Sequence, residues 1–283
     1  MTMARRSLKL STVALFLAIL LVTMLLSRIE EGRKATAAAA EERGVPVLMY
    51  HHLLKRAEAG RYADNEIVTF VDAFEKQLDW LSAEGFETVS PAMLRDWLEN
   101  GTPLPSRPVM ITFDDGYLSN FVYAYPLLKA HGYTAVIFSV TGGISEQPAS
   151  FHANQINMLD RKTMESAGDV FYYASHTDDL HHLTGKRSAL VTADSETAAA
   201  DIKKSLAVIR QFPSGVDYLF SYPYGNYSDR VEALLKEQGI TLAFRAYKGK
   251  LTRKSDPLAL PRYPVSHSVS MDTFKGYFSE YFK

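Results

Sequence analysis

Two kinds of side chain that bind cations and move protons gather at a few points of the sequence. Thr112-Phe113-Asp114-Asp115-Gly116 ends an apolar run with adjacent carboxylates. At a buried strand end such carboxylates repel each other, and a divalent cation offsets that charge well. A second cluster, Ser175-His176-Thr177-Asp178-Asp179-Leu180-His181-His182, also follows an apolar run and holds three of the chain's eight histidines. Residues five apart lie ~140° apart round a helix and on opposite faces of a strand, so His176 and His181 share a ligand only where the chain turns back through a loop. With Asp115 they make two imidazoles and a carboxylate, which leaves positions for water and substrate as catalytic zinc sites do. Taken singly, each cluster also suits a solvated turn or a polar surface loop.

Two further segments have fewer reactive groups. In Ser221-Tyr222-Pro223-Tyr224-Gly225-Asn226, Pro and Gly fix a turn that can aim backbone N–H groups and a ring into a cleft. Tyr50-His51-His52 closes the first apolar strand. A histidine at a strand end is usually structural, but beside a metal centre it can protonate a leaving amine.

The elements between these segments alternate. Strands are expected at Val45 to Tyr50, Phe86 to Val89, Val109 to Phe113, Thr134 to Val140, Phe171 to Ser175, Tyr218 to Tyr222 and Leu242 to Phe244. Helices are expected from Phe70 to Glu84, from a Ser90-Pro91 cap to about Glu99, and over Tyr123 to His131, Ser195 to Gln211 and Asp229 to Gln238. Such alternation implies a parallel α/β fold, either an open sheet or a barrel, and both collect ligand chemistry at the C-terminal strand ends. All four segments above follow predicted strands.

Composition removes several classes. With 31 basic and 32 acidic side chains the net charge is -1, so nothing draws the chain to nucleic acid. Without cysteine there is no thiolate chemistry, and any metal must use His and carboxylate ligands. The N-terminus carries Arg5, Arg6 and Lys9 before an uncharged stretch from Leu10 to Leu26, followed by Glu30 and Glu31. At ~1.5 Å per residue that stretch spans about a bilayer core, and its flanking charges put the N-terminus inside and the remainder outside. Residues 1-27 are thus expected to be a signal-anchor or transmembrane helix, 28-44 a polar, Ala-rich linker, and 45-283 the globular domain. The Ala37 to Ala40 run keeps open a cleaved signal peptide and secretion.

In this order the segments resemble the polysaccharide deacetylase family, carbohydrate esterase family 4, over roughly Val45 to Lys283. The nearest likeness is to its branch acting on the poly-β-1,6-N-acetylglucosamine of biofilms. The resemblance implies a distorted (β/α) barrel of the NodB homology type. It makes Asp114 the catalytic base and Asp115, His176 and His181 the ligands of a divalent metal, Zn2+ by default with Co2+, Ni2+ or Fe2+ also suited. The family usually spaces its metal histidines four apart. The biofilm branch spaces them five apart with a Leu before the second, as Leu180 precedes His181 here.

Two departures matter. Ser221 stands where the family's third motif has Arg, so an arginine orienting Asp114 must come from elsewhere, with Arg262 and Arg245 as candidates. The family's C-terminal histidine motif has no clean match at His267, and the branch takes its acid from an early Tyr-His, which favours His51. The resemblance further implies that Tyr222, Pro223, Tyr224 and Gly225 line the substrate and oxyanion site. It also implies that the protein strips acetyl groups from an extracellular N-acetylglucosamine polymer beside exopolysaccharide synthase or export machinery. A peptidoglycan N-acetylglucosamine deacetylase and a non-catalytic carbohydrate-binding protein of the same fold are the rival readings.

Overall fold

A computed structural model describes residues 15, 17, 19–28, 30 and 43–283. Part of the Leu10 to Leu26 stretch and nearly all of the 28–44 linker lie outside these residues. The described part of the stretch is helical, with Leu20, Leu21, Leu25 and Leu26 exposed. Among the described residues no helix is long and apolar enough to cross a membrane.

The body is built around β1 (Val47–Tyr50), β2 (His52–Leu54), β3 (Val68–Phe70), β4 (Glu87–Thr88), β5 (Pro108–Asp115), β6 (Ala135–Ser139) and β7 (Phe171–Ser175). The short hairpin β8 (Leu183–Thr184) and β9 (Arg187–Ser188), then β10 (Gly215–Ser221), β11 (Leu242–Phe244) and β12 (Tyr263–Pro264), complete the strands. Eight of them form one sheet in the order β11-β10-β7-β6-β5-β1-β12, with β4 beside the start of β5. Every pairing within it is parallel. Phe244 at the end of β11 makes a parallel bridge to Leu260, and Tyr263 then pairs with Leu48 of β1. Residues 260–264 therefore join the two ends of the sheet, and it curls into a distorted barrel.

Strand alternation divides the side chains into two layers. Val47, Met110, Val136, Phe138, Ala174, Leu219, Phe244 and Leu260 pack together as one buried cluster inside the curl. Leu48, Tyr50, Ile111 and Phe113 face the other way, against Phe74 and Leu78 of α1 (Val71–Ala83) and Leu128 of α3 (Tyr125–Ala130). The first helix of the pair that follows, α2 (Pro91–Asn100), starts on Ser90, whose side chain accepts the Met93 N–H, and stops at left-handed Gly101. After α4 (Arg161–Ser166) and α5 (Ala189–Thr192), α6 (Ser195–Ile209) buries Ala198, Ile202, Ser205, Leu206 and Ile209 on one face. It packs with α7 (Asp229–Glu237) over β10 and β11, and α8 (Met271–Gly276) covers the outside of β1.

Several boundaries differ from those expected. β10 begins at Gly215, because the chain doubles back so tightly after α6 that a Cβ there would sit 2.1 Å from the Ile209 carbonyl oxygen. The helix expected from Tyr123 is α-helical only over Tyr125–Ala130 and is preceded by a wider turn at Asn120–Ala124. Val45 lies outside β1 and bridges antiparallel to Leu251.

Candidate active site

At the C-terminal end of the curl the inner layer turns from apolar to polar. Thr112 and Asp114 point inward from β5, Ser221 does so at the end of β10, and Arg262 crosses the interior from the 260–264 segment. Arg262 is fully buried and uses every N–H it has. Its two terminal nitrogens grip Asp114 at 2.6 and 2.7 Å, and they also donate to Thr112 Oγ1 at 3.2 Å and Ser221 Oγ at 2.8 Å. Nε donates to the Arg245 carbonyl at 3.1 Å. Burial by itself would raise the Asp114 carboxyl pKa, but the Arg262 guanidinium, helped by His176 and His51, holds it well below the usual carboxylate range. Asp114 is therefore a buried, ionised carboxylate at neutral pH. Of the two arginines considered, Arg262 sits on Asp114, while the Arg245 guanidinium lies over Tyr227 and Tyr247.

In a regular strand Asp114 and Asp115 would face opposite sides. Asp115 instead has a φ of 74°, which cancels the alternation. Its carboxylate swings to the same side, with Oδ1 3.6 Å from His176 Nε2 and 3.2 Å from His181 Nε2. Asp114 Oδ2 lies 3.8 Å from His176 Nε2. Asp115, Thr177 and Tyr224 are the three non-glycine residues at positive φ among the described residues, and all three border this point.

One ligand atom from each of Asp115, His176 and His181 lies within 4.8 Å of the others, close enough to hold one ion. Asp115 Oδ1 is buried without a hydrogen-bond partner, an arrangement a bound cation would satisfy. His176 Nδ1 donates to the Ser221 carbonyl at 2.8 Å, so its Nε2 carries the lone pair and faces the carboxylate. Burial, then the neighbouring His181, lowers the His176 pKa to about 4, which keeps that lone pair available. The two imidazole centroids are 4.5 Å apart, and the Tyr224 ring stacks on His181 at 4.9 Å. His182, the third histidine of the cluster, is exposed and turned toward the Asp179 carbonyl instead.

The remaining candidates separate. His51 is half-buried at the end of β1, close enough for its charge to act on Asp114, and its carbonyl is held by Asn120 at 2.7 Å. His267 faces Glu66 and the Phe70 ring. Pro223 and Gly225 shape the turn that presents Tyr224. Gly225 has a φ of 65°, and a Cβ on it would lie 2.7 Å from the Ala246 side chain. Tyr222 does not line the site, contrary to expectation. One step along the strand from Ser221, it points outward into the α6 and α7 layer, fully buried, and its hydroxyl donates to the Leu258 carbonyl at 2.9 Å. Tyr222→Phe is expected to cost about 1 kcal/mol in urea unfolding by orphaning that carbonyl, while leaving the Asp115, His176 and His181 cluster in place.

A further residue of the site, with no place among those expected from the sequence, is Tyr117, which directly follows the Asp-Asp-Gly turn. It is nearly buried beside Asp115, and burial first, then the Asp115 charge and a hydrogen bond to that carboxylate, raise its hydroxyl pKa. A large aromatic with a polar tip next to a carboxylate pair was the available signal.

In this parallel α/β barrel a carboxylate and two imidazoles converge on one point that has the geometry to hold a cation, and an arginine-locked second carboxylate lies beside them. Residues 101–243 match the polysaccharide deacetylase family model, and the chain belongs to that family. The poly-β-1,6-N-acetyl-D-glucosamine N-deacetylase of Staphylococcus epidermidis is 29% identical over 199 residues, covering 69% of this chain and 67% of that protein. In fold the chain is similar to the deacetylase PplD of Streptococcus pyogenes, with a TM-score of 0.72 and 23% identity over 83% of this chain and 98% of that one. IcaB from Ammonifex degensii gives 0.70 and 24%, over 85% and 97%.

Proposed function

We propose that the protein is a membrane-held, metal-dependent N-deacetylase that removes acetyl groups from poly-β-1,6-N-acetylglucosamine outside the cell. The observation carrying this reading is the convergence of Asp115, His176 and His181 beside an ionised Asp114. A cation held by those three residues supplies Lewis acidity, lowering the pKa of a water and polarising the amide carbonyl. Zinc fits the donor set, and Co2+, Ni2+ and Fe2+ are compatible with it.

The chain's own groups do the rest. Asp114 accepts the proton of the attacking water, and Arg262 keeps that carboxylate ionised and aimed. Water adds to the acetamide carbon, and backbone N–H groups of the turn at Tyr224 would stabilise the oxygen of the tetrahedral adduct. His51, protonated, gives its proton to the sugar nitrogen as the C–N bond breaks, releasing acetate and a free amine.

Two points support the polymer. The Staphylococcus epidermidis relative carries that activity in its name, and the five-residue histidine spacing with Leu180 before His181 follows the same branch. The basic residues before the Leu10 to Leu26 stretch, and its exposed apolar side chains, support an anchor holding the domain beside polymer export. Full-length protein in detergent is expected to release acetate from poly-β-1,6-N-acetylglucosamine. It should stop after chelator dialysis and recover with Zn2+ or Co2+. Faster release from purified cell wall would instead identify a peptidoglycan deacetylase. Binding without release would identify a carbohydrate-binding protein. Resistance of the protein to alkaline extraction from membranes, with the domain open to added protease in intact cells, checks the anchor.

A further inference from the structure

We propose that Asp201, on the outer helix α6, is a positioning residue of the cation centre: its carboxylate winds the 177–180 loop so that His181 returns to His176. The proposal rests on the cation-dependent reading above. A five-residue step cannot by itself put two side chains on one point in either a helix or a strand. The chain must reverse, and reversal leaves consecutive backbone N–H groups without ladder partners.

Those groups converge on Asp201. Its Oδ1 accepts the Asp178 N–H at 2.9 Å, and its Oδ2 accepts the N–H groups of Asp179 at 2.7 Å and Leu180 at 3.0 Å. Three successive amides thus wrap one carboxylate, and the next residue is His181. The other side of the loop is fixed independently. The Thr141 N–H donates to the Thr177 carbonyl at 3.0 Å, and the Gly142 N–H to the Asp178 carbonyl at 2.9 Å. A Cβ on Gly142 would lie 2.7 Å from that carbonyl oxygen, so only glycine permits the approach. The Asp178 side chain is already engaged by Thr141 Oγ1 at 2.8 Å and Lys204 Nζ at 2.6 Å. It therefore braces the loop and is not free to act as a ligand.

On α6 the polar residues Asp201, Lys204 and Ser205 sit three and four positions apart, on the side that faces the end of β7. Ser205 Oγ meets Ser175 Oγ at 2.7 Å, one residue before His176. This polar stripe along an otherwise apolar helix face meets the end of β7 through Ser205 and the loop after it through Asp201 and Lys204. Without the Asp201 charge three amides lose their acceptor, and His181 loses the constraint that aims it, whereas His176 keeps its bond to the Ser221 carbonyl.

The test uses the full-length chain in detergent, stripped of metal, as wild type, Asp201→Ala and Asp201→Asn. Zn2+ affinity is read by competition with a chromophoric chelator. Backbone exchange across 176–182 is read by mass spectrometry on the metal-free protein. Both variants are expected to bind Zn2+ ~10–100-fold more weakly, the range for partners that orient metal ligands. Exchange at 178–180 should accelerate while the rest of the barrel exchanges as in wild type. A purely structural role would lower the melting temperature without weakening Zn2+ binding by the folded molecules. Wild-type Zn2+ affinity in the folded variants, or unchanged exchange at 178–180, would overturn the proposal. Should Asp201→Ala not fold, the isosteric Asp201→Asn decides. A wild-type protein that binds no Zn2+ would count against the function proposed above, and the exchange measurement would still judge Asp201.

Discussion

Arg262→Met should leave a folded protein that has lost its proton acceptor. In wild type the guanidinium offsets a burial cost that would otherwise push the Asp114 pKa up. Without it, a carboxyl that is 3% exposed takes up a proton at neutral pH instead of standing as an uncompensated ion. Acetate release should fall ~10²–10⁴-fold at neutral pH, the range for losing an acid–base group. The acid limb of the pH–rate profile should move to higher pH, with partial recovery in alkaline buffer. Stability should drop by about 3–5 kcal/mol, the cost of breaking a buried ion pair from one side.

The sign of the pH dependence follows from the direction of the wild-type shift. A carboxyl depressed in the folded state contributes stability that is present above the unfolded carboxylate pKa and is lost as pH falls below it. Wild type should therefore lose stability in acid through Asp114, whereas in Arg262→Met, where burial holds the carboxyl pKa above its unfolded value, that part of the dependence should reverse, with stability lost as pH rises above the unfolded pKa. Equal acid limbs and equal rates in the two proteins would remove Asp114 from the chemistry.

The second large effect separates holding a cation from moving a proton. His176→Ala is expected to abolish both metal uptake and acetate release, because it deletes one of three ligands and the lone pair fixed by Ser221. Asp114→Asn keeps those three ligands and is expected to retain metal while losing ~10²–10⁴-fold in turnover. Metal analysis of the two purified variants beside their rates tests both assignments. Full metal content in His176→Ala, or wild-type turnover in Asp114→Asn, would each refute the role given to that residue.

The long apolar runs were legible in the sequence because a buried parallel strand has no polar face to blur it. Phe171–Ser175 and Leu242–Phe244 end where periodicity placed them, and β5 differs by starting one residue earlier, at Pro108, and by taking in both aspartates. Short strands were not legible. Tyr263–Pro264 is two residues long and includes a proline, so nothing local marks it as the strand beside β1. Its pairing is set by β1 and β11, far away in the chain.

The site divides in the same way. Asp115, His176 and His181 were singled out by residue type and spacing, and they meet in the fold. What spacing could not show was the φ of 74° at Asp115 that brings its carboxylate round. Arg262 was one of two candidates until the fold put it on Asp114, 148 residues away in the chain. Tyr222 was misplaced because a turn motif does not reveal which residue of an alternating strand faces inward. Ser221 takes the inner place, so its neighbour must take the outer one.

The segment that joins the ends of the sheet also carries Arg262, and this orders events during synthesis. Asp114 leaves the ribosome long before the arginine that neutralises it, so the emerging chain holds a carboxylate its own core cannot yet accept in charged form. Only when residues 260–264 dock between β11 and β1 does the counter-charge arrive. The charged form of Asp114 can thus be buried only once residue 262 has been made and has docked, so this ion pair links one of the middle strands of the sheet to a late step of folding.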